Sequence, residues 1–309
     1  MFGNVGAGMM ARARGTGDLM TATGHVDVKA RYGGWALVAG ASAGLGAAFA
    51  REAGRLGFDV VLLARRADAL EATAASIRAE HDVATRCIVA DLAQDDIADV
   101  VAAQTADLDV GVLVYNAAAE LYGPFLALDR DAYHTNIAVN CLAPTVLAEH
   151  FGARMRDRGR GAIAIVSSLA ALQGTRYLTI YAAAKAYELI LAEGLWEELG
   201  DDGVDALAYV VGATASSTWE GPAPAAYTDV EELSALQARI LQPATPEDVA
   251  ARLFTVLPHG PRQYSNLVDE AATKEAATKP RAEVVQAMAA VTIGLARFAH
   301  LPEPPARRA

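Results

Sequence analysis

The sequence alternates short apolar runs with longer stretches of helical periodicity, and this alternation limits the folds open to the chain more than any other feature. Six runs of five to seven residues are separated by such stretches. Strands that alternate with helices form a parallel sheet with helices on both faces. We therefore expect an α/β fold, a doubly wound Rossmann-type parallel sheet flanked by helices, as a single domain with a C-terminal helical extension. The predicted strands are Trp35–Ala39, Asp59–Ala64, Arg86–Ala90, Gly111–Tyr115, Ala162–Ser167 and Asp205–Val211.

Chemically distinctive residues follow these runs directly. The first run meets the glycine turn Gly40–Gly46, which opens a helical pattern. Such a corner presents backbone N–H donors and the positive end of a helix to a phosphate group, although glycine turns are also common as plain structural turns. Ligands of parallel sheets bind at the carboxyl ends of the strands. The other predicted strand ends carry Arg65, Asp91, Asn116, Ser168 and Gly212, which predicts one binding site along this edge.

Tyr181 and Lys185 lie one turn apart in the predicted helix Thr179–Leu199, so their side chains share a helix face. An ammonium beside a phenol lowers a phenolic pKa that starts near about 10. A pKa of about 7 requires about 4 kcal/mol, so a second positive charge is expected to contribute. A phenol tuned in this way exchanges a proton near neutral pH. The pair also arises by chance, and its weight comes from the residues upstream, including Ser168.

Composition and charge disfavour several classes of function. The formal net charge of −11 argues against a general nucleic-acid surface. Cys87, Cys141 and the six histidines show no metal-ligand spacing, and two cysteines make no disulfide framework. No run has the length of a signal peptide or reaches the roughly 20 apolar residues of a membrane span. We predict a cytoplasmic protein without a metal site, a nucleic-acid partner or a membrane span.

The pattern divides the chain into three parts. Residues 1–33 are glycine-rich and aperiodic, and we expect a mobile N-terminal arm. Residues 34–268 hold the alternation and form the predicted Rossmann-fold catalytic domain, with residues 214–242 as a cover over the site. Residues 269–309 are expected to form a helical C-terminal extension and tail. Its direct repeat, EAATK-EAATK at 270–279, is typical of a solvated helical spacer with Glu–Lys pairs four residues apart.

Taken together, these motifs resemble the short-chain dehydrogenase/reductase family over about residues 34–257. The glycine turn has the spacing of that family, and Ser168, Tyr181 and Lys185 have its active-site spacing. Asn140, on a predicted long helix Asp131–Arg156, matches the asparagine of its catalytic tetrad. The segment Tyr115–Ala118 stands where the family usually has Asn-Asn-Ala-Gly. Ala39, Ala118 and Val211 depart from the usual residues without removing a catalytic group.

The resemblance implies hydride transfer between a nicotinamide cofactor and a carbonyl–alcohol pair. Tyr181 would exchange the proton, and Ser168 would hydrogen-bond the substrate oxygen. Lys185 would bind the nicotinamide ribose and lower the Tyr181 pKa, while Asn140 would hold a water that relays protons to Lys185. The implied cofactor-binding residues are Gly40, Ser42, Gly44, Leu45, Gly46, Arg65, Arg66, Asp91, Leu92, Asn116, Ala117, Tyr181, Lys185, Gly212 and Thr214.

Arg65 and Arg66 directly follow the second predicted strand, and these residues favour binding of NADP(H) over NAD(H). A fold that selects NAD places an acid at this position to bind the ribose 2′-hydroxyl. A guanidinium instead grips a 2′-phosphate through paired hydrogen bonds. Because 22 of the 26 basic residues are arginine, a coincidental pair at this position is the alternative.

The substrate and the oligomer are expected from the same segments. Apolar residues in loops around the predicted site favour a hydrophobic, medium-sized ketone or secondary alcohol, although some of them could instead belong to the core. Helices Asp131–Arg156 and Thr179–Leu199 would pair with their copies in a homodimer or homotetramer, as the family does. The apolar loop residues are Leu121, Tyr122, Phe125, Leu172, Tyr177 and Trp219.

Two other classes of function keep the same fold. One is a non-redox enzyme, an epimerase, dehydratase or lyase, that uses the same tyrosine. The other is a cofactor-binding sensor without turnover. The complete set of tetrad residues disfavours the sensor but does not separate redox from lyase chemistry.

Overall fold

A computed structural model of the chain describes residues 26–215 and 243–298. Its strands are β1 (Trp35–Ala39), β2 (Asp59–Ala64), β3 (Thr85–Val89), β4 (Val110–Tyr115), β5 (Gly161–Ser168), β6 (Val204–Val211) and β7 (Arg262–Tyr264). Within the described ranges all seven pair in parallel as one sheet of order β3-β2-β1-β4-β5-β6-β7. The strand order reverses between β1 and β4, where a doubly wound sheet opens a crevice for ligands. The predicted α/β fold is confirmed.

Helices cover both faces of this sheet. They are α1 (Val28–Tyr32), α2 (Gly44–Arg55), α3 (Ala67–Glu80), α4 (Ile97–Thr105), α5 (Arg130–Ile137), α6 (Ala143–Arg158), α7 (Thr179–Leu199), α8 (Pro246–Val256), α9 (Leu267–Ala276) and α10 (Arg281–Phe298). Helices α2, α3 and α8 pack in one core layer, and α4, α6 and α7 pack in the other. Strands buried on both faces carry apolar side chains in both directions, which explains their continuous apolar runs.

The structure corrects the predicted N-terminal arm over residues 26–33. Helix α1 is packed against the domain, and Tyr32 is only 1% exposed. The Tyr32 hydroxyl donates to the Asp205 carboxylate at 2.8 Å, and the Arg31 guanidinium donates to the same oxygen at 2.8 Å. One buried tyrosine and one ion pair therefore anchor a segment whose glycine content predicted mobility. Residues 1–25 lie outside the described residues.

The predicted helix Asp131–Arg156 is two helices with a π-helical turn at 138–142 between them. Asn140 lies in this turn and is fully buried. Pro144 follows Asn140 by four residues and has no N–H to donate to the Asn140 carbonyl, so a regular α-helix cannot continue here. The prediction of one continuous helix is therefore wrong, and the interruption falls on the residue assigned to the tetrad.

The predicted domain boundary between residues 268 and 269 falls inside α9. This helix follows β7 closely, and its Asp269 side chain is buried. Helix α10 is also attached: Arg281 donates to the Leu172 carbonyl at 2.6 Å, and the Tyr122 hydroxyl donates to the Thr292 carbonyl at 2.6 Å. Both helices therefore belong to the domain. The predicted cover at 216–242 and the tail at 299–309 lie outside the described residues.

Candidate active site

A cleft with a volume of about 1030 Å³ runs along the carboxyl edge of the sheet and crosses the ends of β1 to β6. Residues from all six predicted strand ends line it. Two predicted site residues, Gly46 and Asn140, do not line the cleft. The predicted residues that do are Gly40, Ser42, Gly44, Leu45, Arg65, Arg66, Asp91, Leu92, Asn116, Ala117, Ser168, Tyr181, Lys185, Gly212 and Thr214.

The glycine turn after β1 is shaped by close backbone approaches. Gly40 has φ +84° and Gly44 has φ +54°, values that side chains with a Cβ rarely adopt. A Cβ at Gly40 would lie 2.8 Å from the Ala117 Cα, and one at Gly46 would collide with the Gly40 carbonyl oxygen. Gly46 therefore lets α2 begin directly against the turn. The first turn of α2 then faces the cleft with backbone N–H groups, as a pyrophosphate requires.

Arg65 and Arg66 follow β2 at one end of the cleft. Arg65 is 71% exposed, and its Nη1 lies 4.0 Å from the Asp91 Oδ2. The Arg66 Nη2 lies 3.4 Å from the Ser42 Oγ. Both guanidinium groups line the cleft and remain open to solvent. This end of the cleft is therefore suited to an anionic group.

The middle of the cleft is formed by the ends of β4 and β6. The Asn116 N–H donates to the Ala39 carbonyl at 3.2 Å, which joins the end of β4 to β1. A Cβ at Gly212 would collide with the Asp269 carboxylate, so glycine at this position lets α9 approach the end of β6. Thr214 forms a short parallel bridge with Ala244. These contacts hold the two strand ends and the return of the chain together.

Ser168 ends β5, and Tyr181 faces it from the first turn of α7. Burial raises the pKa of the Tyr181 phenol, the negative charges of Glu120 and Glu188 add to the rise, and Lys185 and a hydrogen bond with Ser168 oppose it. The net direction is upward. Lys185 lowers the phenolic pKa as predicted, but the loss of solvent around the phenolate outweighs it. A further positive charge is therefore needed before the phenol titrates near neutral pH.

Lys185 lies beneath this phenol, with its Nζ 5.8 Å from the centre of the Tyr181 ring. The ammonium donates to the Val166 carbonyl at 3.0 Å and to both carboxylate oxygens of Glu188, at 2.8 and 3.1 Å. Burial lowers the pKa of Lys185, but Glu188, Tyr181 and Glu120 together raise it by more, so the net direction is upward. Ser167 Oγ donates to the Lys185 carbonyl at 2.7 Å, which ties α7 to β5. The sequence analysis did not single out Glu188.

Asn140 is placed near the cleft but outside its lining. Its Nδ2 donates to the Ala119 carbonyl at 2.9 Å, and its Oδ1 accepts from the Ala119 N–H at 3.0 Å. Asn136 donates to the same carbonyl at 2.6 Å. The side chain of Asn140 therefore braces the segment after β4. Pro144 has no N–H to donate to the backbone carbonyl of Asn140.

The wall around Ser168 and Tyr181 differs from the predicted one. Tyr177 is 4% exposed and packs its ring against that of Tyr122, with centroids 6.0 Å apart. Phe125 stacks on Tyr133, and Leu172 packs on the core. Leu121 is absent from the cleft lining as well, and Trp219 lies outside the described residues. The cleft is instead lined here by Glu120, Leu169, Ala170, Thr175, Leu178, Val268, Met288, Val291 and Thr292.

Helices α9 and α10 supply Val268, Met288, Val291 and Thr292 to this wall, and sequence reasoning missed all four. Thr292 and Thr175 are buried, and their hydroxyls lie 3.0 Å apart. No motif marks these residues, because only the docking of α10 brings them to the strand ends. Among the described residues no cluster of His, Cys, Asp or Glu could hold a metal ion. In the same ranges no helix is both long and apolar enough to cross a bilayer.

The profile of the short chain dehydrogenase family matches residues 34–224. The chain belongs to this family. It is 33% identical over 194 residues to the 7beta-hydroxysteroid dehydrogenase of Clostridium sardiniense, an alignment that covers 63% of this chain and 74% of that protein. The chain spans less than two thirds of the length of some other curated relatives, including 56% of one and 65% of another.

Solved structures support the assignment to the short-chain dehydrogenases. A 7beta-hydroxysteroid dehydrogenase aligns with a TM-score of 0.74 at 25% identity, over 84% of this chain and 98% of that one. A short-chain dehydrogenase from Sphingobium yanoikuyae, solved in complex with NADPH, aligns with a TM-score of 0.65 at 27% identity, over 80% and 96%. This short-chain dehydrogenase is therefore an oxidoreductase of a family that binds NAD(P).

Proposed function

We propose that this short-chain dehydrogenase interconverts a hydrophobic ketone and the corresponding secondary alcohol with NADP(H) as its cofactor. The observation that carries the proposal is the cleft itself. It joins an end with two open guanidinium groups to a central Ser168, Tyr181 and Lys185, and then to a mainly apolar wall. An anionic cofactor end, a proton-exchanging centre and an apolar substrate end are the parts that such a reaction needs.

Arg65 and Arg66 are the basis for preferring NADP(H). They follow β2, where NAD-selective relatives of this fold place an acid, and both guanidinium groups face the cleft. Ser42 lies beside Arg66 and adds a hydroxyl donor. The glycine turn and the first turn of α2 would hold the pyrophosphate. When bound, the nicotinamide supplies or accepts a hydride.

The chain's own residues would handle the proton and the orientation of the substrate. Ser168 would donate to the substrate oxygen and hold it against Tyr181. Tyr181 would give its proton to that oxygen in reduction and take it back in oxidation. The positive charge of Lys185 would stabilise the Tyr181 phenolate. The Asn140 carbonyl would hold the water that returns a proton toward Lys185.

The apolar wall supports a hydrophobic substrate of moderate size. Leu169, Leu178, Val268, Met288 and Val291 surround the tyrosine end of the cleft. Its few polar groups include the hydroxyl pair of Thr175 and Thr292, the Asp269 carboxylate and the Glu120 carboxylate near Tyr181. A negative charge at Glu120 and Asp269 disfavours small anionic keto acids. The hydroxysteroid named for one relative is an alcohol of the apolar kind.

A cytoplasmic homodimer or homotetramer is part of the proposal. The leucines of α7, Leu189, Leu191, Leu195 and Leu199, pack into the core layer. Helix α5, the π-helical turn and α7 nevertheless expose four large hydrophobic side chains: Ile137 at 47%, Leu142 at 50%, Tyr187 at 42% and Ile190 at 62%. The Tyr187 hydroxyl lies 2.7 Å from the Thr145 hydroxyl, so α6 and α7 present one joint surface. Light scattering at micromolar concentration should return at least the dimer mass.

The test is a matched panel with the purified full chain. A keto steroid and a small anionic keto acid are each mixed with NADPH and with NADH, and nicotinamide absorbance and product are both followed. We expect the fastest loss of absorbance with NADPH and the keto steroid, and none with Tyr181→Phe. Product formed without an absorbance change would support an epimerase, dehydratase or lyase. Cofactor binding with no product from any substrate of the panel would support a sensor.

A further inference from the structure

Among residues 26–215 and 243–298, Glu188 is the one buried acid in contact with Lys185. It follows Lys185 by one helical turn, and its side chain is 0% exposed. Its neighbours on the buried face of α7 are Ala184, Leu189 and Ala192, which belong to an apolar layer. A carboxylate at such a position loses its hydration and needs a specific partner.

Lys185 is that partner. Within the described part of the chain it is the only hydrogen-bond donor to Glu188, through contacts of 2.8 and 3.1 Å to the two carboxylate oxygens. The third contact of the ammonium is the Val166 carbonyl at 3.0 Å. An ammonium has three N–H donors, so Glu188 and Val166 together govern where it can point.

A role in stability alone explains this pair poorly. A buried ion pair is seldom more stable than apolar side chains of the same volume, because both ions lose their hydration. Position 188 would otherwise be filled by an apolar residue, as positions 189 and 192 are. The pair therefore calls for a reason that lies in the chemistry of Lys185 and Tyr181.

We propose that Glu188 is a positioning residue that fixes the Lys185 ammonium beneath Tyr181 and, through its negative charge, sets the pH range in which Tyr181 exchanges its proton. The inference rests on the proposed roles of Tyr181 and Lys185. Glu188 itself would touch neither substrate nor cofactor. Its carboxylate cancels part of the lysine's charge at the phenol, so this dehydrogenase would work as a base at higher pH than the lysine alone would allow.

The groups around the pair support this direction. Burial raises the pKa of Glu188 to about 7, so the group is a carboxylate at the higher pH where the phenol ionises. Burial, Glu120 and Glu188 raise the pKa of Tyr181. Cys141 of the π-helical turn and Tyr115 of β4 also face the pair, and burial keeps both neutral by raising the pKa of each. Strand β5 contributes uncharged groups: the Val166 carbonyl and the Ser167 hydroxyl at Lys185, and the Ser168 hydroxyl at Tyr181.

The first experiment needs no substrate. The ultraviolet absorbance of phenolate is titrated in the wild type and in Glu188→Gln. The titration of Tyr181→Phe is subtracted from the first and that of Tyr181→Phe/Glu188→Gln from the second, which isolates the Tyr181 phenol in each background. Removal of the carboxylate should move the ionisation of Tyr181 down by about one pH unit. The matched control is Glu193→Gln, on the same helix, whose carboxylate pairs with Arg262 at 2.6 Å away from the phenol. Equal ionisation in Glu188→Gln and the wild type would overturn the charge role.

The second experiment uses turnover. In the alcohol-oxidising direction the kcat/KM of Glu188→Gln should reach its plateau at lower pH than that of the wild type, by the same shift. Glu188→Asp keeps the charge but is shorter by one methylene, so it should keep the wild-type pH profile while kcat falls about tenfold. Wild-type kcat and cofactor KM in Glu188→Asp would overturn the positioning role. Glu188→Asp therefore tests the positioning role even if Glu188→Gln does not fold.

These outcomes separate the inference from the proposed function. An active wild type with unshifted variants would leave the reaction standing and remove Glu188 from it. A wild type inactive on the whole panel, with a shifted phenolate titration in Glu188→Gln, would leave the Glu188 contact standing and overturn the proposed reaction.

Discussion

Two kinds of glutamate–lysine pair occur on the described helices, and the distances between their charged groups are nearly the same. On α7 the Lys185 ammonium lies 2.8 Å from the Glu188 carboxylate, and the two side chains are 4% and 0% exposed. On α9 the Lys274 ammonium lies 2.7 Å from the Glu270 carboxylate, with exposures of 74% and 28%. Distance does not distinguish these pairs, whereas access to water does.

The surroundings decide what each pair can do. In water the attraction between opposite charges is screened and offset by the cost of ordering two long side chains, so an exposed pair contributes little. In the core each charge depends on the other, and both act strongly on a neighbouring phenol. The exposed pairs therefore support a helix, while the α7 pair acts on the pKa of Tyr181 and would thereby affect the proton exchange proposed for it. The same substitution made in each pair should therefore have very different effects on stability and activity.

The largest difference is expected between Lys185→Ala and Lys274→Ala. The first removes the charge that favours the Tyr181 phenolate and leaves Glu188 buried without a partner. We expect kcat/KM to fall about 100-fold or more, and the free energy of unfolding to fall by about 3–5 kcal/mol. The second should change stability by less than about 0.5 kcal/mol. Denaturant unfolding and initial rates measure both, and equal effects of the two variants would contradict the comparison.

Arg65 and Arg66 test whether an exposed charge becomes functional when it faces the cleft. Each charge-assisted contact to a 2′-phosphate contributes about 1.5–3 kcal/mol, so Arg65→Ala or Arg66→Ala should lower the NADPH-to-NADH ratio of kcat/KM about tenfold to hundredfold. Arg78→Ala is the control, because Arg78 is exposed and pairs with Glu71 at 2.6 Å outside the cleft lining. A wild type that prefers NADH, or a ratio that neither variant moves, would defeat the cofactor assignment.

Removing both charges of the buried pair should cost less stability than removing one. In Lys185→Met/Glu188→Leu no ion is left in the core, so we expect unfolding free energy equal to that of the wild type or higher by about 1–4 kcal/mol, with activity lost. Burial raises the pKa of Glu188 to about 7 from its ordinary 4.5, so the folded wild type holds this proton more tightly than the unfolded chain.

That proton gives the double variant a pH signature. Between about pH 4.5 and 7 the folded wild type binds more protons than the unfolded chain, so this carboxyl lowers stability as pH rises. The pKa of Lys185 is raised, which keeps the lysine charged across this window. The stability advantage of the double variant should therefore be larger at pH 8 than at pH 5. If the stability advantage of the double variant shrank as pH rises, the pKa of Glu188 would not be raised by burial.

The sequence predicted the parts of the site that follow from strand order. Glycines, Asn116, Ser168 and the arginines lie at strand ends, and parallel strands bring such ends together in any sheet of this type. The breakdown of the long helix was readable too, because Pro144 cannot donate to the Asn140 carbonyl. The position of Glu188 could also have been recognised in the sequence, because it is an acid on the predicted buried face of an apolar helix, one turn after Lys185.

The substrate wall could not be predicted in the same way. Met288, Val291 and Thr292 lie more than one hundred residues after Tyr181 in the chain, and no local pattern says where their helix docks. Two of the aromatic residues predicted to line the substrate end of the site, Tyr122 and Tyr177, pack their rings against each other instead. Packing between distant segments decides such positions, and spacing along the sequence does not report it.

The smallest expected effect belongs to the second exposed pair of the EAATK repeat, Glu275 near the end of α9 and Lys279 just beyond it, whose charged groups lie 2.7 Å apart. Exposed pairs at this helical spacing contribute about 0.3–0.5 kcal/mol. Glu275→Gln should lower the unfolding free energy by no more than this, and the difference should vanish in about 1 M salt, where screening acts within about 3 Å. Asp269 in the same helix is 3% exposed and lies against Gly212, so Asp269→Asn should destabilise the chain measurably at either salt concentration. A salt-insensitive loss in Glu275→Gln would mean that the repeat has a docked partner and is more than a solvated helix.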